Sequence, residues 1–383
     1  MKIALVHKRL DLNGGTERDL FQTAEGLRDL GHEVHLFCSE YGVEPPRGVI
    51  AHHVSVIPLG RTVRLWSFAW FAPRTIEKAG CEVVVSFGRL LRQDVLRSGG
   101  GTHRGFLERL EQEGGVRRRL WQWISIYHRS LLALERRQYR ESGAEKIIAV
   151  SEEVKRDIVA HYSVPAEKII VIYNGVDQKR FHPARRAEVR QSVREHWKIP
   201  FDAPLVLFVG SGFRRKGLDR VISIWNSPEL QQVFLLVVGD DARIGRYQSW
   251  ANSIAPGRIL FAGRRNDVEN YYAAADVMVL PALQEAFGNV VVEALASGLP
   301  VLVSRHVGAA EILQGRLAQG IVNQVDDPKE WEEKLQLLLK RSRDPIWIRE
   351  ARKVGEEHSW ANHFGRFEAV LREVCRVPSR VAS

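Results

Sequence analysis

Two carboxylates, Glu285 and Glu293, stand seven residues apart in "PALQEAFGNVVVEALASGLPV", Pro281–Val301. The run "DVMVL" before them reads as a strand that Pro281 ends, and "VVVEALAS" reads as a helix closed by Gly298. Asn289 is the expected N-cap of that helix. Glu285 then precedes the helix and Glu293 lies about one turn inside it. The Gly288 and Asn289 amides, at a helix start, suit an anion. One use of this arrangement divides a ligand between an acid that takes sugar hydroxyls and amides that take phosphates. The other reading is one functional glutamate and one chosen for helix propensity, and spacing alone does not separate the two.

Three further loops carry residues of the same kind. "FVGSGFRRKGLDR" places glycines after a strand, then Arg214, Arg215 and Lys216 before a helix. Glycine lets backbone N–H groups approach an anion, arginine offers a planar donor fork, and lysine a compact charge. The loop suits a phosphate or diphosphate, but it is neither a P-loop nor a good dinucleotide fingerprint. It also suits a solvated basic rim. "DLNGGTERD" puts Gly14 and Gly15 at a tight turn before a helix that carries Arg18 and Asp19. That helix start could receive a phosphate or a sugar hydroxyl, or be a capped surface helix. "SGGGTHRGF" (Ser98–Phe106) sets three glycines beside His103 in a segment expected to be exposed. A histidine there can bind a hydroxyl, move a proton, or do neither.

The elements that must hold these loops alternate in type. "KIALVH", a helix ending at Gly31, and "HEVHLFC" form a βαβ unit and imply a parallel sheet. "CEVVVSFG", "EKIIAVS" and "KIIVIY" continue it. Ser151 is the expected cap of the helix "EEVKRDIVAHY". A polar, charged segment, roughly Ala184–Asp202, reads as a junction. A second parallel series follows, through "PLVLFVGSG", "VFLLVVGDD", "RILFAGR" and "DVMVLP". The 383 residues exceed one ordinary core, so two domains are expected, facing across a cleft suited to small molecules. The boundaries expected are 1–183, 184–359 and a C-terminal segment 360–383 with a final helix, Trp360–Val374.

Composition bounds the class. A hydrophobic content of 45% and a charged content of 27% fit a globular domain protein. The three cysteines are widely spaced, show no CxxC, and fit a reducing compartment. The N-terminus reads as a strand, not a leader. The net charge of +10 suits nucleic acid, anionic lipid or phosphorylated small molecules. No nucleic-acid signature is present, and carboxylates among the loops would repel a phosphate backbone. A basic nucleic-acid-binding protein is therefore the remote alternative, and a non-catalytic scaffold is another. "RTVRLWSFAWFAPR" (Arg61–Arg74) and the stretch Val116–Arg140 mix arginines with tryptophans. Arg117–Arg119 with Trp121 or Trp123 could meet anionic lipid or a phosphorylated acceptor, or belong to an ordinary basic helix.

The EX7E spacing of Glu285 and Glu293, with "GG", "RKG" and "FAGRRNDVENYYAAADVMVLP", resembles the retaining nucleotide-sugar glycosyltransferases of family GT4. The resemblance covers nearly the whole chain. More narrowly, "FVGSGFRRKGLDR" followed by "GRRNDVENYYAAAD" is similar to the lipopolysaccharide core glucosyltransferase I group. The resemblance implies a GT-B fold: two Rossmann-like α/β domains, the last helix crossing back to the first. It implies transfer of a sugar, glucose from UDP-glucose, onto a heptose of the lipopolysaccharide inner core. Other nucleotide-sugars and other glycans are the alternative within the family. Arg215 and Lys216 would neutralise the diphosphate and Glu293 would hold the ribose. Glu285 would hold the sugar hydroxyls, with backbone amides from Phe287, Gly288, Asn289 and Val290. Gly14 and Gly15 would close on the donor, Asp19 would serve the acceptor, and His103 would lie near the sugar's O6. No metal is implied at Asp240 or Asp241, and no cofactor beyond the nucleotide-sugar. The partners implied are a UDP-sugar and a lipid-linked, phosphorylated acceptor, at the cytoplasmic face of the inner membrane with peripheral lipid contact.

Overall fold

The computed structural model describes residues 1–12, 15–108, 125–141 and 144–376. Gly14, Arg117–Arg119, Trp121 and Trp123 lie outside them. The chain forms two compact units, Met1–Asn174 with Ala361–Ser383, and Gly175–Trp360. The chain thus crosses at Asn174–Gly175, upstream of the expected Ala184. Residues 175–183 belong to the second unit because their bonds lie there. Arg180 pairs with Glu269, and Gln178 donates to the Glu356 carbonyl.

In the first unit a seven-stranded sheet runs, in spatial order, Ile50–His53, Glu33–Cys38, Lys2–Val6, Val83–Ser86, Val95–Ser98, Lys146–Ala149 and Ile169–Val171. Its neighbours are all parallel. Parallel pairing needs crossovers, and the helices Gly15–Asp29, Gly60–Ala79 and Glu152–Tyr162 supply them. Strands covered on both faces are apolar almost throughout, so Ile3, Ala4, Leu5 and Val6 are all fully buried. Ser151 caps Glu152–Tyr162 as expected, accepting from the Val154 amide. The last helix, Trp360–Arg376, is amphipathic. It sets Phe367, Val370, Leu371 and Val374 into the core formed by Ile3, Leu5, Leu20 and Leu27. The His363 ring bonds the Tyr173 carbonyl at 2.7 Å. This is the expected return of the final helix to the first domain.

The second unit holds a six-stranded parallel sheet, in the order Ile259–Gly263, Phe234–Val238, Leu205–Val209, Val277–Leu280, Val301–Ser304 and Ile321–Val322. The order reverses direction at Leu205–Val209, whose neighbours are Phe234–Val238 and Val277–Leu280. Open α/β sheets bind ligands beyond the carboxyl ends of strands at such a reversal. The loops after those two neighbouring strands, Leu205–Val209 and Val277–Leu280, carry Arg215–Lys216 and Glu285.

The charged segment read as a junction is instead a helix, Arg185–His196. Arg186, Arg190 and Arg194 project from it onto one carboxylate, Asp276, at 2.7, 3.0 and 2.8 Å. Positions 186, 190 and 194 are four apart and so share one face. The segment looked like a solvated linker because its burial is of arginines rather than of apolar side chains. Among the described residues, no helix is long and apolar enough to cross a membrane.

Candidate active site

Two loops distant in sequence are locked together in the second unit. Gly217 has φ +76° and sits so close to Pro281 that a Cβ there would lie 1.9 Å from the Pro281 carbonyl oxygen. Only glycine permits that approach and that backbone. The Leu283 amide donates to the Arg215 carbonyl at 3.2 Å. The Glu285 backbone is held on both sides: its amide donates to the His306 carbonyl, and its carbonyl accepts from the Gly308 amide.

The side chains then converge. Glu285 Oε2 accepts from Arg215 Nη1 at 2.8 Å and from Lys216 Nζ at 2.5 Å. Lys216 is 9% exposed, whereas the Arg215 side chain is 58% exposed. Burial would raise the Glu285 carboxyl, but Lys216 and Arg215 outweigh it and hold it below its ordinary range. The site therefore presents an ionised carboxylate beside two fixed cations. Such a set can accept from hydroxyls and donate to phosphate oxygens at once.

The following helix, Asn289–Ala296, begins one residue earlier than the cap expected. Gly288 is the N-cap, with φ +95°, and Asn289 is the first helical residue. A Cβ at 288 would lie 3.0 Å from the Val307 side chain. The chain turns through a left-handed backbone at 288, which glycine adopts at no steric cost. The helix start still points its first amides, those of Asn289 and Val290, out of the end of the helix. Phe287 is buried, its carbonyl accepting from the Ala309 amide. Glu293 is half-buried, and its Oε2 accepts from the Tyr272 hydroxyl at 2.8 Å. Tyr272 carried no role in the sequence reading. Its only signal was a tyrosine pair in "VENYYAAAD" at helical spacing from an apolar run.

In the first unit the outcome is mixed. Gly15 opens the helix Gly15–Asp29. Asp19 is buried. It falls on the buried stripe of its helix with Leu20, Thr23 and Ala24. Its carboxylate accepts from Arg97 Nε at 2.9 Å, and Arg97 also bonds the Ile172 carbonyl and Asn174. This buried pair ties the first helix to the sheet.

The glycine-rich segment Ser98–Phe106 is anchored at both the glycine run and the helix start, while Gly100, Arg104 and Phe106 are exposed as expected. The Thr102 amide donates to Asp157 at 2.6 Å. The fully buried Glu135 accepts from the His103 and Arg104 amides at 2.6 and 3.1 Å and from the Tyr162 hydroxyl at 2.7 Å, and it pairs with Arg89. Residues 103–108 are helical, so Glu135 acts as an anion at a helix start. His103 Nε2 and His128 Nδ1 share a hydrogen bond at 3.0 Å. Burial pulls the His103 imidazole down to about 4, outweighing Glu135, with Arg89 and His128 adding to the fall. A neutral His103 cannot serve as a proton donor with an ordinary histidine titration. The pH profile of kcat/KM for His103→Gln is expected to run parallel to that of the parent between about pH 5.5 and 8. Loss of an inflection near 6.5 in the variant would contradict a neutral ring.

Among the described residues, no group of three or more His, Cys, Asp or Glu is placed to hold a metal ion.

Comparison with known proteins agrees with this fold. Residues 13–180 match the family described as Glycosyltransferase Family 4, and residues 189–354 match Glycosyl transferases group 1. The lipopolysaccharide glucosyltransferase WaaG of Escherichia coli K12 is 28% identical over 310 residues, covering 78% of this chain and 79% of that protein. The crystal structure of WaaG superposes with a TM-score of 0.80 at 23% identity, covering 96% of this chain and 99% of the other. Anabaena Alr3699/HepE, solved with UDP-glucose, superposes with a TM-score of 0.69 at 18% identity, covering 97% of this chain and 100% of that one. The fold is the GT-B fold, two Rossmann-like α/β units with the last helix packed on the first, and both family matches are to glycosyltransferases. Within that class, the chain is related to family GT4 and to WaaG.

Proposed function

We propose that this protein transfers glucose from UDP-glucose to a heptose of the lipopolysaccharide inner core, with retention at the anomeric carbon. The observation that carries the reading is the cluster of Lys216, Arg215 and Glu285 beside a helix start at the sheet's reversal point. The relationship to a lipopolysaccharide glucosyltransferase supports the acceptor, and the UDP-glucose complex of a similar fold supports the donor.

In this reading the diphosphate lies on Lys216, Arg215 and the amides from Phe287 to Val290. Glu285 accepts from sugar hydroxyls and Glu293 from the ribose. Gly14 and Gly15 belong to the donor-side loop, and His103 contributes a neutral hydrogen bond to the sugar. The bond from the anomeric carbon to the β-phosphate oxygen breaks as charge builds on that oxygen, and the two cations stabilise it. The acceptor hydroxyl bonds to the anomeric carbon from the same face and passes its proton to the departing phosphate oxygen, giving UDP. No pair of carboxylates flanking the bond is needed, in contrast to glycoside hydrolysis. No metal takes part in this scheme, since the cations supply the positive charge at the leaving group. The acceptor would be lipid-linked and phosphorylated, met at the cytoplasmic face of the inner membrane, where the charge of +10 favours anionic partners.

The test is a donor and acceptor screen. UDP-, GDP- and ADP-glucose and UDP-galactose are each supplied with truncated lipopolysaccharide that ends in the inner-core heptoses. Nucleotide release above background with UDP-glucose alone, dependent on the acceptor, is the expected result. Turnover with another donor, or without heptose, would replace this reading with another family GT4 activity.

A further inference from the structure

We infer that Tyr272 is a positioning residue that aims Glu293 and so sets the selectivity for a ribose diol in the donor nucleotide. The inference rests on the reading above that Glu293 binds the ribose.

Tyr272 lies in the last turn of the short helix Val268–Ala274 and is 1% exposed. Its ring is fixed by burial and by Phe181, which meets it edge-on at 5.5 Å between centroids. A buried phenol needs a partner for its hydroxyl, and here the partner is Glu293 Oε2 at 2.8 Å. Glu293 itself is half-buried, between the buried Val292 and Ala294. A glutamate so placed has three rotatable bonds and would sample several rotamers. A hydrogen bond from an immobile donor selects one of them. It orients the plane of the carboxylate and with it the other acceptor positions. Two vicinal hydroxyls require two acceptor positions held in register, which is what this constraint provides. Burial and the Glu293 charge both drive the Tyr272 hydroxyl far above its ordinary titration, so it remains a donor at any working pH.

The experiment is calorimetric titration of UDP and of 2′,3′-dideoxy-UDP into the parent protein, Tyr272→Phe and Glu293→Gln. Tyr272→Phe removes one oxygen and keeps the ring. The parent is expected to prefer UDP. In Tyr272→Phe, UDP affinity should fall about 10-fold or more, the size of a hydrogen bond to a charged group, while the dideoxy analogue is unchanged. A merely structural role would weaken both nucleotides alike, and that result would overturn the inference. Should Tyr272→Phe fail to fold, Phe181→Leu, which removes the edge-on contact that fixes the Tyr272 ring and leaves Glu293 in place, must lower the same ratio. The underlying reading is tested separately by Glu293→Gln. If that variant keeps the ratio, Glu293 is not the ribose ligand. If it abolishes the ratio while Tyr272→Phe keeps it, only the role of Tyr272 is lost. If the parent binds neither uridine nucleotide, the donor reading fails, and the same comparison with ADP and 2′,3′-dideoxy-ADP decides Tyr272.

Discussion

Lys216→Ala is expected to lower kcat/KM by about 10²–10³-fold, the usual loss when one preorganised charge at a leaving group is removed. The reason lies in its burial. The Lys216 side chain is 11% exposed with its ammonium on Glu285, whereas the Arg215 side chain is 58% exposed. A charge held in a water-poor site acts on a developing anion far more strongly than one screened by solvent. Arg215→Ala should therefore cost less than Lys216→Ala. Lys216→Met, which keeps the aliphatic stem, should lose as much activity as Lys216→Ala while melting closer to the parent. The measurements are steady-state kinetics and thermal melting on all three variants. Near-parental turnover in Lys216→Met would remove Lys216 from the phosphate site.

The largest effect on stability is expected at Asp276, remote from any reacting group. Its side chain is buried, and it takes Arg186, Arg190 and Arg194 together with the Leu205 amide. Removing the shared acceptor leaves Arg190 and Arg194 buried without it. Breaking a buried charge pair from one side costs about 3–5 kcal/mol. For a domain of roughly 150–250 residues this corresponds to a melting temperature lower by about 10 °C. Asp276→Ala should show it in the second unit, and hydrogen exchange would localise the loss to Arg185–His196 and Val268–Ala274. Burial raises the Asp276 carboxyl, but the three arginines outweigh it and leave it below its ordinary value. The folded state then binds fewer protons than the unfolded chain. Its stabilisation is complete above about pH 4, the unfolded titration, and is lost as pH falls through the lower folded value. Asp276→Asn should flatten that acid limb. An unchanged acid limb would show that another carboxylate governs it.

The sequence by itself determined the alternation of strands and helices, because strands buried on both faces must be continuously apolar and their crossovers amphipathic. It also marked the loops that carry Arg215, Lys216, Glu285 and Glu293 as candidates, because glycine and charge follow an apolar run there, without separating an anion site from a solvated basic rim. It did not show that Asp19 would be buried against Arg97. A carboxylate at a helix start reads alike whether it faces solvent or, as here, a buried arginine from a strand 78 residues away. It misread Arg185–His196 because burial of arginine leaves no apolar period. It passed over Tyr272 because one oxygen among buried rings has no pattern of its own. Only the tertiary structure decided that the "RRKG" and "QEAFG" loops form one site, through the contact of Gly217 with the Pro281 carbonyl and the bond of Lys216 to Glu285. The physical reason is that strand order is not sequence order. Leu205–Val209 and Val277–Leu280 are neighbours in the sheet although two strands intervene in the chain, and no local pattern records which strands will pair.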